Sequence, residues 1–263
     1  MKGHMTVSDT SRGSVKLAAL TALTASAFLL AACDDDPTGV TEPGQVSLSV
    51  TGAPGATSSL LASSVQTTDP DNRSLLVESV RMVFFEIELE VGDDVEGVDL
   101  KAGPILIDLP LDGSVSTILS QAAVPPNRYD ELEMEVKPVE GDESEAEFAS
   151  EHPGWPLSQS IQVTGTFDAD DGEGPQSFDI FLNFNDDFEL EFEPALEIGK
   201  GEGLSLVLAI DVGTWFLNED GTLIDPRTLS GDSSAASQVE DNIEDSFEAF
   251  EDSQENEDQE DDA

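Results

Sequence analysis

Apolar and polar side chains alternate with a period of two along most of the middle of this chain, the signature of strands packed on one face and wet on the other. The clearest run is Ser79 to Val91, where Val83, Phe85, Ile87, Leu89 and Val91 alternate with Glu86, Glu88 and Glu90. Leu132, Met134 and Val136 alternate in the same way with Glu131, Glu133 and Glu135, and Ile161, Val163 and Gly165 with polar partners. Phe178, Ile180, Leu182 and Phe184 share one face, and Phe188, Leu190 and Phe192 another. Short strands are predicted at Gln45 to Thr51 and Pro104 to Leu109, with a helical turn at Ser114 to Gln121. Residues 52–73, rich in small and polar side chains, read as a long loop, and Leu204 to Val212, almost continuously apolar, as a central strand. Turn signals (Asp-Gly, Gly-Glu-Gly, Asn-Asp-Asp) separate the runs. Short strands with turns between them and no intervening helix predict an all-β fold, an antiparallel β-sandwich of about 8–9 strands, occupying residues 45–230.

The period changes near the C-terminus. Ala236, Val239, Ile243, Phe247 and Phe250 recur at spacings of 3, 4, 4 and 3, one stripe of an amphipathic helix that would run over residues 231–252, with a capping box at Ser237–Glu240. From Glu240 to the end there are 13 acids and no base. Residues 253–263 have the composition of a disordered acidic tail.

The N-terminal segment reads as an address. A basic start precedes the uncharged run of 14 residues from Leu17 to Leu30, which is shorter than the roughly 20 residues a membrane span needs and fits the apolar region of a signal peptide. The run ends Leu30-Ala31-Ala32-Cys33, which resembles the lipobox of bacterial lipoproteins, and Cys33 is the chain's only cysteine. The expectation is a signal peptide over 1–32, lipidation at Cys33, and a polar tether over 33–44. Several acyl chains on one residue would hold the protein to a membrane, on the periplasmic or extracellular side of a bacterial envelope. Asp34 follows Cys33, which resembles an inner-membrane retention signal of enteric bacteria; inner and outer membrane both stay open.

Four segments carry a broader likeness: Gln45–Thr51, Leu75–Leu89, Val98–Leu109 and Ala123–Val136. Ile107-Asp108-Leu109 and the turn Val124-Pro125-Pro126-Asn127-Arg128-Tyr129 resemble a family of uncharacterised bacterial lipoproteins. That resemblance implies a prealbumin-like β-sandwich and no assigned activity. In it Asn127 takes the place of a turn glycine, which an Asn able to adopt positive φ tolerates. Asp211 to Phe216 and Leu223 to Pro226 resemble the ends of other such lipoproteins.

Charge narrows the function. The chain has 10 bases and 57 acids; after removal of 1–32, seven bases remain against 56 acids, a net charge of −49. Nucleic acid is excluded as a partner, and so is a polybasic membrane-binding surface on the protein, because both need clustered Lys and Arg. His152, in a loop of Pro and Gly, is the one histidine of the mature chain, too few for structural zinc, and no phosphate-binding glycine motif is present. Calcium is the sharper possibility, since hard cations take several oxygens from one loop. Asp168, Asp170, Asp171 and Glu173 cluster in one turn, and Asp186 and Asp187 in another; both also suit plain acidic hairpin turns. These features are those of a non-catalytic, membrane-anchored envelope protein serving as a structural or interaction module. A calcium- or glycan-binding sandwich is the alternative, a hydrolase a distant third, and no cofactor other than calcium is expected. A protein or glycan of the envelope would be the partner.

Overall fold

The structure, a computed structural model, describes residues 42–53, 58–60, 63–91, 97–101, 103–229 and 233–251. The signal segment, Cys33, most of the tether and the acidic tail lie outside the described residues.

The expected two-layer sandwich is present. Strands β1 (Gly44–Ala53), β7 (Ser116–Val124), β12 (Gly203–Asp211) and β13 (Phe247–Glu251) form one sheet in the order β13-β12-β1-β7. The second sheet has nine strands: β2 (Ser58–Leu60), β3 (Val65–Thr68), β4 (Ser74–Glu90), β5 (Val98–Lys101), β6 (Ile105–Asp108), β8 (Asn127–Val136), β9 (Ile161–Asp168), β10 (Gln176–Leu182) and β11 (Asp186–Ile198). Pairing is antiparallel except for β1 beside β12, which run parallel. Two stretches depart from expectation. Within 52–73 lie β2 and β3, short strands of which β3 pairs with β4 and β2 with β3. The helical turn expected at Ser114–Gln121 is replaced by β7, whose backbone is taken up by the edge of β1.

β4 is the spine of the larger sheet. Along one side it pairs β9 and then β8, along the other β3, β6 and β5. Two irregularities in register, between Val77 and Ser79 and between Phe84 and Ile87, shift which residues face the core. The inward set is therefore Leu75 and Val77, then Val80, Met82 and Phe84, then Ile87 and Leu89. Val83 and Phe85, read above as one stripe with Ile87 and Leu89, belong to a separate cluster. The reason is that each bulge adds a residue and reverses the parity of the alternation.

That separate cluster is Val83, Phe85, Val139, Phe148 and Trp155, with Leu106 and Leu157 against it. The connection from β8 to β9, residues 137–160, supplies most of it and carries a short helix, α1 (Glu145–Glu151), with Phe148 on its buried side. This flap is stitched down at its end: Val83 N donates to Ser160 O (2.9 Å) and Ser160 N to Leu182 O (3.0 Å). Underneath, Gly165 on β9 is needed for the close approach of β4, since a Cβ there would collide with the Leu76 carbonyl oxygen.

The turn from β7 to β8 carries the chain from one sheet to the other. Tyr129, fully buried, donates its hydroxyl to Pro125 O at 2.7 Å and closes this turn. Asn127 does not use the positive φ of a glycine; its Oδ1 accepts from Arg128 N at 2.9 Å as β8 begins. Asp69 pins the β3–β4 turn to a distant loop, accepting from Asp71 N, Arg73 N and Leu223 N and pairing with the Arg73 guanidinium. Burial pushes its carboxyl pKa up, but the Leu223 and Arg73 amides and the Arg73 guanidinium outweigh this and hold it below the usual value.

The C-terminal helix is present as α2 (Ser234–Glu244) and is shorter than expected. Ser233, rather than Ser237, caps it, its Oγ accepting from Ala236 N at 3.2 Å. Val239 and Ile243 are buried, and Asn242 Nδ2 donates to the carbonyls of Thr214, Trp215 and Leu217. Phe247 and Phe250 are not helical; they lie in β13, paired to β12. Three residues apart they share a helix face, but in a strand they point oppositely: Phe247 is buried against Phe188 and Phe250 is 46% exposed. Acidic residues at the C-terminal end of a helix oppose its dipole, whereas the strand gains the free edge of β12.

Candidate functional site

The acidic alternation read from single strands becomes a two-dimensional array once the strands pair. β4 supplies Glu86, Glu88 and Glu90, β8 supplies Glu131, Glu133 and Glu135, and β11 supplies Asp187, Glu189 and Glu191. The register sets them in rows: Glu88 opposite Glu133 opposite Glu189, and Glu90 opposite Glu131 opposite Glu191, with Glu135 opposite Asp187 at one end. All of them stand on the solvent side, because their neighbours Ile87, Leu89, Leu132, Met134 and Phe188 fill the core.

Like charges directly opposite on neighbouring strands repel, and the array shows the consequence. One carboxylate oxygen from each of Glu88, Glu90 and Glu133 lies within 4.8 Å of the other two. Burial and a hydrogen bond with Glu90, together with the charges of Glu90, Glu88 and Glu189, push the Glu133 carboxyl up to about 7. Glu131 is raised too, first by burial and then by Glu189, Glu90 and Glu191. The base at the margin, Lys137, is held by Glu135 at 2.5 Å and lies over the Phe85 ring. Glu86, Glu88, Glu133, Glu135, Lys137 and Asp187 line a shallow concavity of about 240 Å³. Such a surface relieves its repulsion by taking up protons or cations. Three carboxylate oxygens at this separation form one side of a coordination shell for a hard cation, which water would complete.

The acidic residues singled out from the turns go elsewhere. Asp168 ends β9 and is half-buried, while Asp170, Asp171 and Glu173 lie in the exposed β9–β10 turn. There Asp168 accepts from Asp170 N (3.0 Å) and Asp171 from Glu173 N (2.9 Å). Pairing with Asp225 raises the Arg227 pKa, and the charges of Asp171 and Glu173 add to this. Asp186 accepts from Asp187 N at 3.0 Å and sits close enough to Glu244 to raise its pKa. Of these six, Asp187 joins the array; among the described residues, the one group of three acids close enough to share a cation is Glu88, Glu90 and Glu133. Its signal in the sequence was the same Glu-x-Glu-x-Glu alternation occurring more than once. His152 follows α1 and stacks obliquely on Phe148, ring centroids 4.6 Å apart.

No protein-family model matches the chain, and no curated protein matches its sequence. Among solved structures it is similar to MbnP from Methylosinus trichosporium, at 13% identity and a TM-score of 0.40, over 81% of this chain and 99% of that one. At that level the likeness transfers neither fold nor function.

Proposed function

We propose that this protein is a lipid-anchored, non-catalytic module of a bacterial envelope, carried on Cys33 and presenting its sandwich to the space beyond the membrane. The observation that carries this reading is the sequence Leu30-Ala31-Ala32-Cys33 after an uncharged run of 14 residues, with the first strand beginning at Gly44. The tether between them gives the sandwich reach from the bilayer. The resemblance of the Ile107-Asp108-Leu109 and Val124–Tyr129 segments to uncharacterised bacterial lipoproteins supports it. The test is the mature N-terminus: labelled fatty acid should be incorporated in the native chain, and mass spectrometry should find acyl chains on Cys33. Cys33→Ala should leave an uncleaved precursor or release the protein from membranes. An unmodified Cys33, or unchanged membrane retention of the variant, would refute the anchor.

A second reading concerns the acidic array and is favoured by its register: the exposed face of β4, β8 and β11 would hold divalent cations between Glu88, Glu90 and Glu133. A bound cation stabilises the folded state by mass action. Melting temperature should rise saturably with calcium at constant NaCl, and less so in Glu88→Gln/Glu133→Gln. A rise matched by equal ionic strength of NaCl would mean screening and not a site.

A further inference from the structure

We propose that the groove at the end of the flap is a binding subsite for a neutral sugar ring. The inference does not depend on the lipid anchor or on the acidic array. The groove has a volume of about 330 Å³ and lies where Glu151, His152 and Trp155 of the flap meet Arg81, Gln162 and Phe181 of the sheet, within the range of small-ligand pockets.

The register builds the sheet side. Arg81 on β4 is opposite Gln162 on β9, and Gln162 is opposite Phe181 on β10, so the three side chains form one row across the outer face. Each is held before any ligand arrives. The Arg81 guanidinium lies 5.1 Å from the centre of the Trp155 ring, and its Nε pairs with Asp108 at 2.9 Å. Gln162 Nε2 donates to Asp179 Oδ1 at 2.8 Å. Trp155 donates its indole N–H to Gln159 O at 3.0 Å and meets the Phe181 ring edge-on, centroids 5.7 Å apart. Phe181 is one of three large apolar side chains left exposed among the described residues, at 36%, and it lines this groove.

The ligand class follows from that combination. An exposed aromatic ring offers a surface to the C–H face of a sugar. Planar donors and acceptors around it (Arg81, Gln162, Glu151) suit hydroxyl groups, which both donate and accept. Charges of both signs meet at the pocket, so neither an anion nor a cation is matched throughout. The strongly negative net charge further disfavours an anion at long range. A neutral polyhydroxylated ring meets none of these penalties.

The test uses the purified full-length chain and ligand-observed NMR with glucose, galactose, mannose, N-acetylglucosamine, cellobiose and maltose, and benzoate as the anionic aromatic control. At least one sugar should bind saturably in the millimolar range. Phe181→Ala and Gln162→Ala, both partly exposed positions, should each weaken it by roughly tenfold or more, with melting temperature checked to confirm folding. Saturable binding of none of the six sugars would overturn the proposal. So would sugar binding unchanged in both variants, or binding of benzoate alone.

Discussion

The two halves of the outer face of β4 have opposite fates. Up to the second bulge this face carries Val83 and Phe85, covered by the flap with Phe148 and Trp155. Beyond it the face carries Glu86, Glu88 and Glu90, left to solvent beside the acids of β8 and β11. One strand is thus buried on both faces over part of its length and half-buried over the rest. The covered half is stabilised by removal of apolar surface from water. The bare half holds together despite its charges, because its inner side, Ile87 and Leu89, is fully buried. Burial of the opposite side is what allows a sheet to tolerate such a row of like charges.

The covered half should be the more sensitive to truncation. Phe148→Ala removes a side chain that is 2% exposed and joins the flap to Val83 and Phe85; the expected loss is about 3 kcal/mol, read by urea unfolding. Amide exchange should show whether residues 137–160 then open alone, as a local unit. A loss below about 1 kcal/mol would mean the flap contributes little to the covering of β4.

The bare half should respond in the other direction. Glu88→Gln, Glu133→Gln and Glu189→Gln together remove one complete row and should stabilise the protein by about 1 kcal/mol in low salt. The gain should shrink towards 1 M NaCl, where the screening length is about 3 Å. The same row predicts a pH dependence. The Glu133 carboxyl is raised in the folded state from 4.5 to about 7, so the folded protein holds that proton more tightly than the unfolded chain. Its contribution is complete below pH 4.5 and is lost as pH rises through about 7. Stability should therefore fall across this window, and fall less steeply in Glu133→Gln. Equal slopes in the two proteins would show that Glu133 is not the proton held by the array.

The smallest effect is expected at the exposed ion pair beside the flap. Arg81 pairs with Asp108, whose side chain is 81% exposed. Asp108→Asn should cost less than about 0.5 kcal/mol, and the stacking of Arg81 on Trp155 should persist. A larger loss in thermal unfolding would mean that this ion pair helps to seat the flap.

Much of this was legible in the residues themselves. The period-two runs at Leu132–Val136 and Ile161–Gly165, and the almost continuous apolar run at Leu204–Val212, predict strands because each pattern is a local property, and each is a strand. Ala236, Val239 and Ile243 predict a helix for the same reason, and α2 forms there. What depended on partners was not legible. The parity of β4 changes at its bulges, so the stripe from Val83 to Leu89 splits between two clusters. Ser116–Val124 became a strand because β1 offered an edge, and Phe247–Glu251 because β12 did. The acidic array shows the difference most plainly. Each row of glutamates is a solvated strand face when read alone, and the turn acids Asp168, Asp170, Asp171 and Glu173 look the better cation ligands. Only the pairing of β4 with β8 sets Glu88, Glu90 and Glu133 within 4.8 Å of one another. Alternation comes from the pleat of a single strand; which carboxylates become neighbours comes from register, which is set by long-range pairing and by the bulges that interrupt it.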